Sequence, residues 1–261
     1  MAAMRTRAER APGGYRITGR KMWCTNGVVG DVFTVFAKTD PDAGHRGITA
    51  FVVERGAAGF TIGRTESLIG LHGSPTTELI FEDMFVSAES RLGEEGEGFR
   101  IGVITLDESR LHCAATALGV ATAALDHAVT YARERIQFGK PVIEHQGLQF
   151  LIAECATELA AARALWERTT EMILERHDRR ASTFAAMTKL ICSDLSMKIT
   201  TEAVQVMGAA GLSTAYPVER FMRDAKAFQI YDGTSQIQKS IIGRQIAKDG
   251  LPFDHLSVSG H

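Results

Sequence analysis

Leu92-Gly-Glu-Glu-Gly-Glu-Gly-Phe99, continuing as Arg100-Ile-Gly-Val-Ile-Thr-Leu-Asp-Glu-Ser-Arg-Leu-His-Cys-Ala-Ala-Thr-Ala-Leu-Gly-Val-Ala121, is where the chain changes its period. Three glycines come first. Then Ile101, Ile104, Leu111, Ala114, Ala115, Leu118 and Ala121 fall at three- and four-residue steps and their sum, the spacing of one apolar helix face. Gly93, Gly96 and Gly98 form G-x-x-G-x-G. The cluster closes a β-rich region instead of opening a βαβ unit, so it reads as a break before a long helix and not as a phosphate loop. Downstream, helices are expected at about 97–134, 144–177, 181–209, 217–227 and 234–248, with breaks at Gly139-Lys-Pro141, His177-Asp-Arg-Arg, Gly208-Ala-Ala-Gly211 and Tyr231-Asp-Gly233. Long helices on short connections predict an antiparallel bundle. Upstream lie Tyr15-Arg-Ile-Thr, Val32-Phe-Thr-Val-Phe-Ala, Ile48-Thr-Ala-Phe-Val-Val, Phe60-Thr-Ile and Leu79-Ile-Phe, separated by turns such as Asp40-Pro41-Asp42 and Gly56-Ala-Ala-Gly59. These are strand signals. The expected class is α+β: a β module followed by a helical bundle. Gly13-Gly14-Tyr15 reads as an opening strand-turn with no partner element before it.

Composition narrows the field. The chain has 261 residues, 45% apolar and 23% charged, with net charge −2. That is ordinary globular composition, with no pull towards nucleic acid or anionic membrane. No uninterrupted apolar run approaches the roughly 18 residues of a membrane helix. Met1-Ala-Ala-Met-Arg-Thr-Arg lacks the apolar core of a signal peptide. Cys24, Cys113, Cys155 and Cys192 are scattered without a C-x-x-C pair, so neither disulfides nor zinc is expected and a cytoplasmic setting fits. The histidines show no metal-ligand spacing; His112, His127 and His145 read as helix-surface or interface residues.

Walker, H-E-x-x-H and G-x-S-x-G motifs are absent, and three other segments carry the chemistry. Trp23-Cys-Thr-Asn-Gly27 offers a flat aromatic wall beside a hydroxyl, or else an ordinary strand and type I′ turn. Glu134-Arg-Ile-Gln-Phe-Gly-Lys-Pro141 ends a helix with a guanidinium, an amide and an aromatic. Arg135 can fork onto phosphate oxygens or simply satisfy the helix dipole. Arg223-Asp-Ala-Lys-Ala-Phe-Gln-Ile-Tyr-Asp-Gly-Thr-Ser-Gln-Ile-Gln238 sets Asp232 in a turn before a new helix, as a reactive carboxylate or as a helix cap.

Together, these segments resemble the acyl-CoA dehydrogenase family over about residues 1–248. Trp-Cys-Thr-Asn-Gly at 23–27 stands where the family has Trp-Ile-Thr-Asn-Gly. Leu92–Phe99 matches Leu-Gly-Glu-x-Gly-x-Gly-Phe, and Leu106-Asp-Glu-Ser-Arg110 matches Leu-Asp-x-x-Arg. Residues 134–141 match Glu-Arg-x-Gln-Phe-Gly-Lys-Pro, and Gln205-Val-Met-Gly-Ala-Ala-Gly211 answers Gln-x-x-Gly-Gly-x-Gly. Gln229-Ile-Tyr-Asp-Gly-Thr-Ser-Gln-Ile-Gln238 answers Gln-Ile-Tyr-Glu-Gly-Thr-x-x-Ile-Gln. The resemblance implies a middle β-barrel-like domain over 1–94, incomplete at its N-terminus, a C-terminal four-helix bundle over 95–250 and a tail over 251–261. It implies a homotetramer, with FAD between the two domains and its adenine half reaching a neighbouring subunit.

Carried over by position, Trp23 and Thr25 flank the flavin with a backbone contact at Cys24. Arg135, Gln137, Phe138 and Gln146, with Gln205, Val206, Met207, Gly208 and Ala209, hold the diphosphate and adenine end. Thr234, Ser235 and Gln236 contact FAD beside the site. Asp107, Arg110 and the Gly233 backbone meet the acyl-CoA, and Asp232 is the base. No metal is implied. The implied reaction, a step of fatty-acid β-oxidation, gives trans-2-enoyl-CoA. The base takes the thioester α-proton and the β-hydrogen leaves as hydride to FAD. Electrons then pass to an electron-transfer flavoprotein.

Two departures stand out. Asp232 replaces the usual Glu, one methylene longer. The alternative base position on the Leu-Asp-x-x-Arg helix is Ser109, which cannot serve, and Glu108 beside it should face elsewhere. The family's N-terminal helical domain and its Thr-Glu-Pro-x-Ala-Gly-Ser-Asp segment are expected upstream of Met1. A flavin oxidase or monooxygenase resembling nitroalkane oxidase, which uses an aspartate base, and an inactive assembly fragment are the competing readings.

Overall fold

The computed structural model describes residues 4–175 and 180–253. Its contacts divide the chain at Thr105/Leu106 into two compact units.

The first unit is a seven-stranded mixed sheet built from β1 (Arg7–Ala11), β2 (Gly14–Thr25), β3 (Val32–Lys38), β4 (Ile48–Glu54), β5 (Phe60–Glu66), β6 (Thr76–Ser87) and β7 (Arg91–Leu92). The strand order is β5-β6-β2-β1-β3-β4-β7. Among these strands only β1 and β3 pair in parallel; the other neighbours pair antiparallel. Alternation decides the buried face: Tyr15 and Ile17, Phe33 and Val35, Phe51 and Val53, and Leu79 and Phe81 enclose one core. Each strand read from sequence is present. The opening strand-turn does have a partner, because β1 precedes it and pairs Arg7–Ala11 against Gly14–Thr18. Arg-Ala-Glu-Arg-Ala has little intrinsic strand preference; it is a strand because β2 and β3 flank it on both edges.

The glycine cluster ends where α1 (Gly98–Glu134) begins. A Cβ on Gly98 would stand 2.7 Å from the carbonyl carbon of Thr49 and 2.8 Å from the Ile48 oxygen. Only glycine lets the helix start this close to β4.

The second unit holds the rest of α1, a short hairpin of β8 (Ile136–Gln137) and β9 (Lys140–Pro141), and helices α2 (Gln146–Leu174), α3 (Ala181–Met207), α4 (Val218–Phe228) and α5 (Ser235–Asp249). The expected helices are all present; the end placed at 177 lies outside the described residues, and α2 stops at Leu174. The hairpin takes the place of a simple helix stop: Phe138 and Gly139 both have positive φ, which lets two residues reverse the chain. Helix α3 is the hub and packs on α2, α4 and α5. Ala124 and Ala128 of α1 meet Ala203 and Met207 of α3 and Val218 of α4. By length and composition alone α1 is apolar enough to cross a membrane, although its charges interrupt every long apolar run. Its alanines at 114, 117, 121, 124, 128 and 132 are buried in the protein.

Candidate functional site

Two groups of named residues meet in the second unit. On α1, Asp107 and Arg110 are three residues apart on one face and form an ion pair whose side chains are 21% and 8% exposed. The Asp107 carboxylate also accepts a 3.0 Å hydrogen bond from Ser182 Oγ on α3. Burial pushes the Asp107 carboxyl above its usual range, and Arg110 and Ser182 pull back against it. The Nε of Arg110 is enclosed without a hydrogen-bond partner among the described residues.

The second group surrounds Asp232 in the turn between α4 and α5. Ser109 Oγ of α1 donates to Asp232 Oδ2 at 2.6 Å. Glu108 is exposed, as its place on the helix predicts. Ser109, which cannot act as a base, thus ties down the one carboxylate of this turn. The capping alternative for Asp232 is overturned: Thr234 is the N-cap of α5, and its Oγ1 accepts from the Ile237 N–H. Asp232 is left without that task.

Burial pushes the Cys113 thiol up to about 11 and pushes the Tyr231 hydroxyl up as well. Lys189 of α3 is fully buried, and the same desolvation lowers its ammonium below the usual lysine range. It donates to the Gly233 carbonyl at 2.7 Å. Asp194 of α3 accepts from Gln229 Nε2 at 2.6 Å and Ser235 Oγ at 3.0 Å. Sequence reasoning missed Lys189, Asp194 and Ser182. The only signal for Lys189 is a lone cation inside Ala185-Ala-Met-Thr-Lys-Leu-Ile-Cys192.

Thr234, Ser235 and Gln236 line a cavity of about 270 Å³ together with Asp194, Lys226, Gln229, Ile230 and Lys239. Two lysines and a helix N-terminus around polar walls suit a phosphate-bearing, hydrogen-bonding group. Elsewhere in this unit Arg135, Gln137 and Gln146 are exposed, and Phe138 presents 93% of its surface at φ +54°. His145 joins them, its ring 5.9 Å from that of Phe138 and its Nε2 3.3 Å from the Gln137 oxygen. Gln205 lies in the last turn of α3, about 24 Å along its axis from Lys189 at 1.5 Å per residue, and Gly208 and Ala209 follow in the turn after the helix. Gln205, Gly208 and Ala209 are exposed and Val206 is half-buried, whereas the Met207 side chain belongs to the core and leaves only its backbone for a ligand.

In the first unit, Trp23 is a bulky residue at φ +60° and 64% exposed. The register of β2 against β6 slips between Lys21 and Cys24, and this bulge turns the indole outwards. Such strain in a large side chain is characteristic of functional positions. Thr25 is exposed beside it, and Cys24 is half-buried. The turn is not type I′: Asn26 has φ +59° but Gly27 is not left-handed, and the Asn26 carbonyl accepts from Val29 and Gly30.

Comparison with known proteins completes the assignment. The family model for the acyl-CoA dehydrogenase C-terminal domain matches residues 96–247, and that for the acyl-CoA dehydrogenase middle domain matches residues 1–84. The chain belongs to the acyl-CoA dehydrogenase family. Cyclohex-1-ene-1-carbonyl-CoA dehydrogenase of Syntrophus aciditrophicus (strain SB) is 46% identical over 94% of this chain and 59% of its own length. The structure of butyryl-CoA dehydrogenase from Megasphaera elsdenii superposes with a TM-score of 0.92 at 43% identity, covering 95% of this chain and 64% of that one. A chain from a structural study of the electron-transferring flavoprotein of Acidaminococcus fermentans has the same TM-score at 44% identity, over 95% and 65% of the two chains. This chain therefore spans about six-tenths of the length of the relatives it matches.

Proposed function

We propose that the protein to which this chain belongs is an FAD-dependent acyl-CoA dehydrogenase, with Asp232 as the base that removes the thioester α-proton. The observation that carries the reading is the Asp232 carboxylate, free of capping duty, tied to Ser109 next to the Asp107–Arg110 pair, with the buried Cys113 thiol and the half-buried Tyr231 hydroxyl near enough to feel its charge. A carboxylate removes a weakly acidic C–H best when it is positioned and shielded from water. The α-proton passes to an Asp232 carboxylate oxygen. Negative charge then develops on the thioester carbonyl, where backbone N–H donors of the 232–234 turn can meet it. Asp107 and Arg110 orient the acyl-CoA. When bound, FAD supplies the acceptor for the β-hydride.

The residues present fit that cofactor. Trp23 and Thr25 offer a wall and a hydroxyl, and Thr234, Ser235 and Gln236 offer the polar cavity. Arg135, Gln137, Phe138, Gln146 and the 205–209 segment offer an exposed second set, which a neighbouring subunit of a homotetramer would use. An electron-transfer flavoprotein is the proposed acceptor. The test is anaerobic: acyl-CoA thioesters of graded chain length are added while flavin absorbance is followed. Bleaching that waits for an acceptor protein supports the dehydrogenase. Re-oxidation by O₂ within seconds points to an oxidase, and a colourless protein to an assembly role.

Ser109→Ala gives a smaller, separate readout. Loss of one hydrogen bond to the carboxylate leaves Asp232 in place but freer, and such a bond is worth about 1.5–3 kcal/mol. Bleaching is expected to slow by about tenfold, with flavin content unchanged. A variant as fast as the parent would mean that Ser109 does not hold the base.

A further inference from the structure

Lys189 is a charged side chain with no exposed surface, with Ala185, Ala186, Cys192 and Ser193 buried one turn away on α3. Among the described residues its one hydrogen bond runs to a backbone carbonyl, with no carboxylate oxygen within 4.0 Å. Asp232, Asp194 and the Cys113 thiol act on it from further away, and Arg110 opposes them. Burying an ammonium costs several kcal/mol even after relaxation, and an apolar side chain of the same volume often leaves a protein as stable or more so. A lysine here is therefore poorly explained by stability alone.

What it grips is unusual. Asp232 has φ +53° and Gly233 φ +93°, two consecutive left-handed residues. The first costs about 1–2 kcal/mol for an L-residue, less for aspartate. The turn is clamped from two sides. Lys189 Nζ holds the Gly233 carbonyl from α3, while Gln238 Nε2, equally buried on α5, donates to the same oxygen at 3.0 Å and to the Asp232 carbonyl at 3.1 Å. Asp194, five residues along α3 from Lys189, takes Gln229 before the turn and Ser235 after it. Lys189 is the one member of this clamp with a positive charge, and the turn carries one carboxylate, Asp232.

We propose that Lys189 is a positioning residue for Asp232: by holding the Gly233 peptide it keeps the turn left-handed and the carboxylate against Ser109, and its charge offsets that of Asp232 once a bound thioester excludes water. This rests on the reading of Asp232 as the base. Opposite charges interact several times more strongly at an effective dielectric near 20 than in water, so the offset grows as the site dries.

Lys189→Met separates positioning from scaffolding. It keeps the length and volume and removes the charge and the donor. The melting temperature is expected to hold or rise, because an unpaired buried charge is gone. Amide hydrogen exchange at Tyr231 and Ser235, whose N–H groups bond the Ala227 and Gln229 carbonyls on either side of the turn, is expected to quicken at least about tenfold, with protection along α2 and the middle of α3 unchanged. In the flavin-loaded protein, the bleaching rate at saturating acyl-CoA should fall while the half-saturating concentration stays put, since Lys189 does not touch the substrate. Unchanged exchange at Tyr231 and Ser235 overturns the proposal. So does a variant that loses protection throughout α3 and α5 together with its melting temperature, the pattern of a residue that only supports the bundle. Exchange is read without flavin or substrate. A loosened turn in a protein whose parent never bleaches therefore refutes the dehydrogenase reading and leaves the clamp standing.

Discussion

Asp232→Asn is expected to lower substrate-dependent flavin bleaching by at least about two orders of magnitude, the usual contribution of a positioned base, at unchanged melting temperature and flavin content. The substitution is close to isosteric. An asparagine oxygen still accepts the hydrogen bond that Ser109 donates to Asp232. Asparagine is also among the residues most at ease with positive φ, so the torsion of +53° at 232 is not disturbed. The start of α5 is untouched because Thr234 caps it. The variant loses only the ability to take a proton. Stopped-flow bleaching with saturating acyl-CoA decides the matter: a variant that bleaches at the parental rate places the base elsewhere and ends the mechanism proposed above.

Arg110→Met should cost about 3 kcal/mol of stability at pH 7, the low end of the range for removing one partner of a buried ion pair. Both side chains are largely enclosed, and Asp107 then keeps only Ser182. The pH dependence comes from the direction of the Asp107 shift. Its carboxyl is raised in the folded protein, chiefly by burial, with Arg110 the larger of two opposing influences. The folded state thus holds more protons than the unfolded state above the ordinary carboxyl value, and this group's contribution to stability falls as pH rises through that window. Removing Arg110 raises the carboxyl further. The deficit should be full at pH 7 and shrink on acidification, as Asp107 becomes neutral and no longer needs a cation. Urea denaturation at pH 7 and at pH 5 measures it. An equal loss at both values would show that the arginine contributes by packing alone.

Much of this molecule is legible in its sequence, and the reasons differ by element. Helix α1 is legible because its apolar positions keep one period across residues 101–121, and the strands β3 and β4 because Val, Ile and Phe dominate them. β1 is not, since Arg-Ala-Glu-Arg-Ala becomes a strand only between β2 and β3. The bulge that turns Trp23 outwards is hidden for a related reason: it is a property of register against β6, 53 residues away at Cys24–Thr77. At Asp232 the sequence leaves a reactive carboxylate and a helix cap open, and local hydrogen bonding gives the cap to Thr234. The family resemblance locates the carboxylate, whereas its neighbours Ser109 and Lys189 come from helices far away in sequence, Ser109 at a separation of 123 residues. No motif links those positions.

The torsion at residue 232 has a bearing on the length of the acid it carries. A left-handed residue is most easily aspartate or asparagine, whose short side chains can bond to the adjacent backbone. Glutamate extends the carboxylate by one methylene but gives up that local ease. At this position a longer acid therefore gains reach only as far as the Lys189 and Gln238 contacts hold the chain in its handedness. The bleaching rate of the Asp232→Glu, Lys189→Met double variant should fall by more than the two single changes combined. Side-chain length and backbone hand at this turn behave as one coupled variable, tuned from helices on either side.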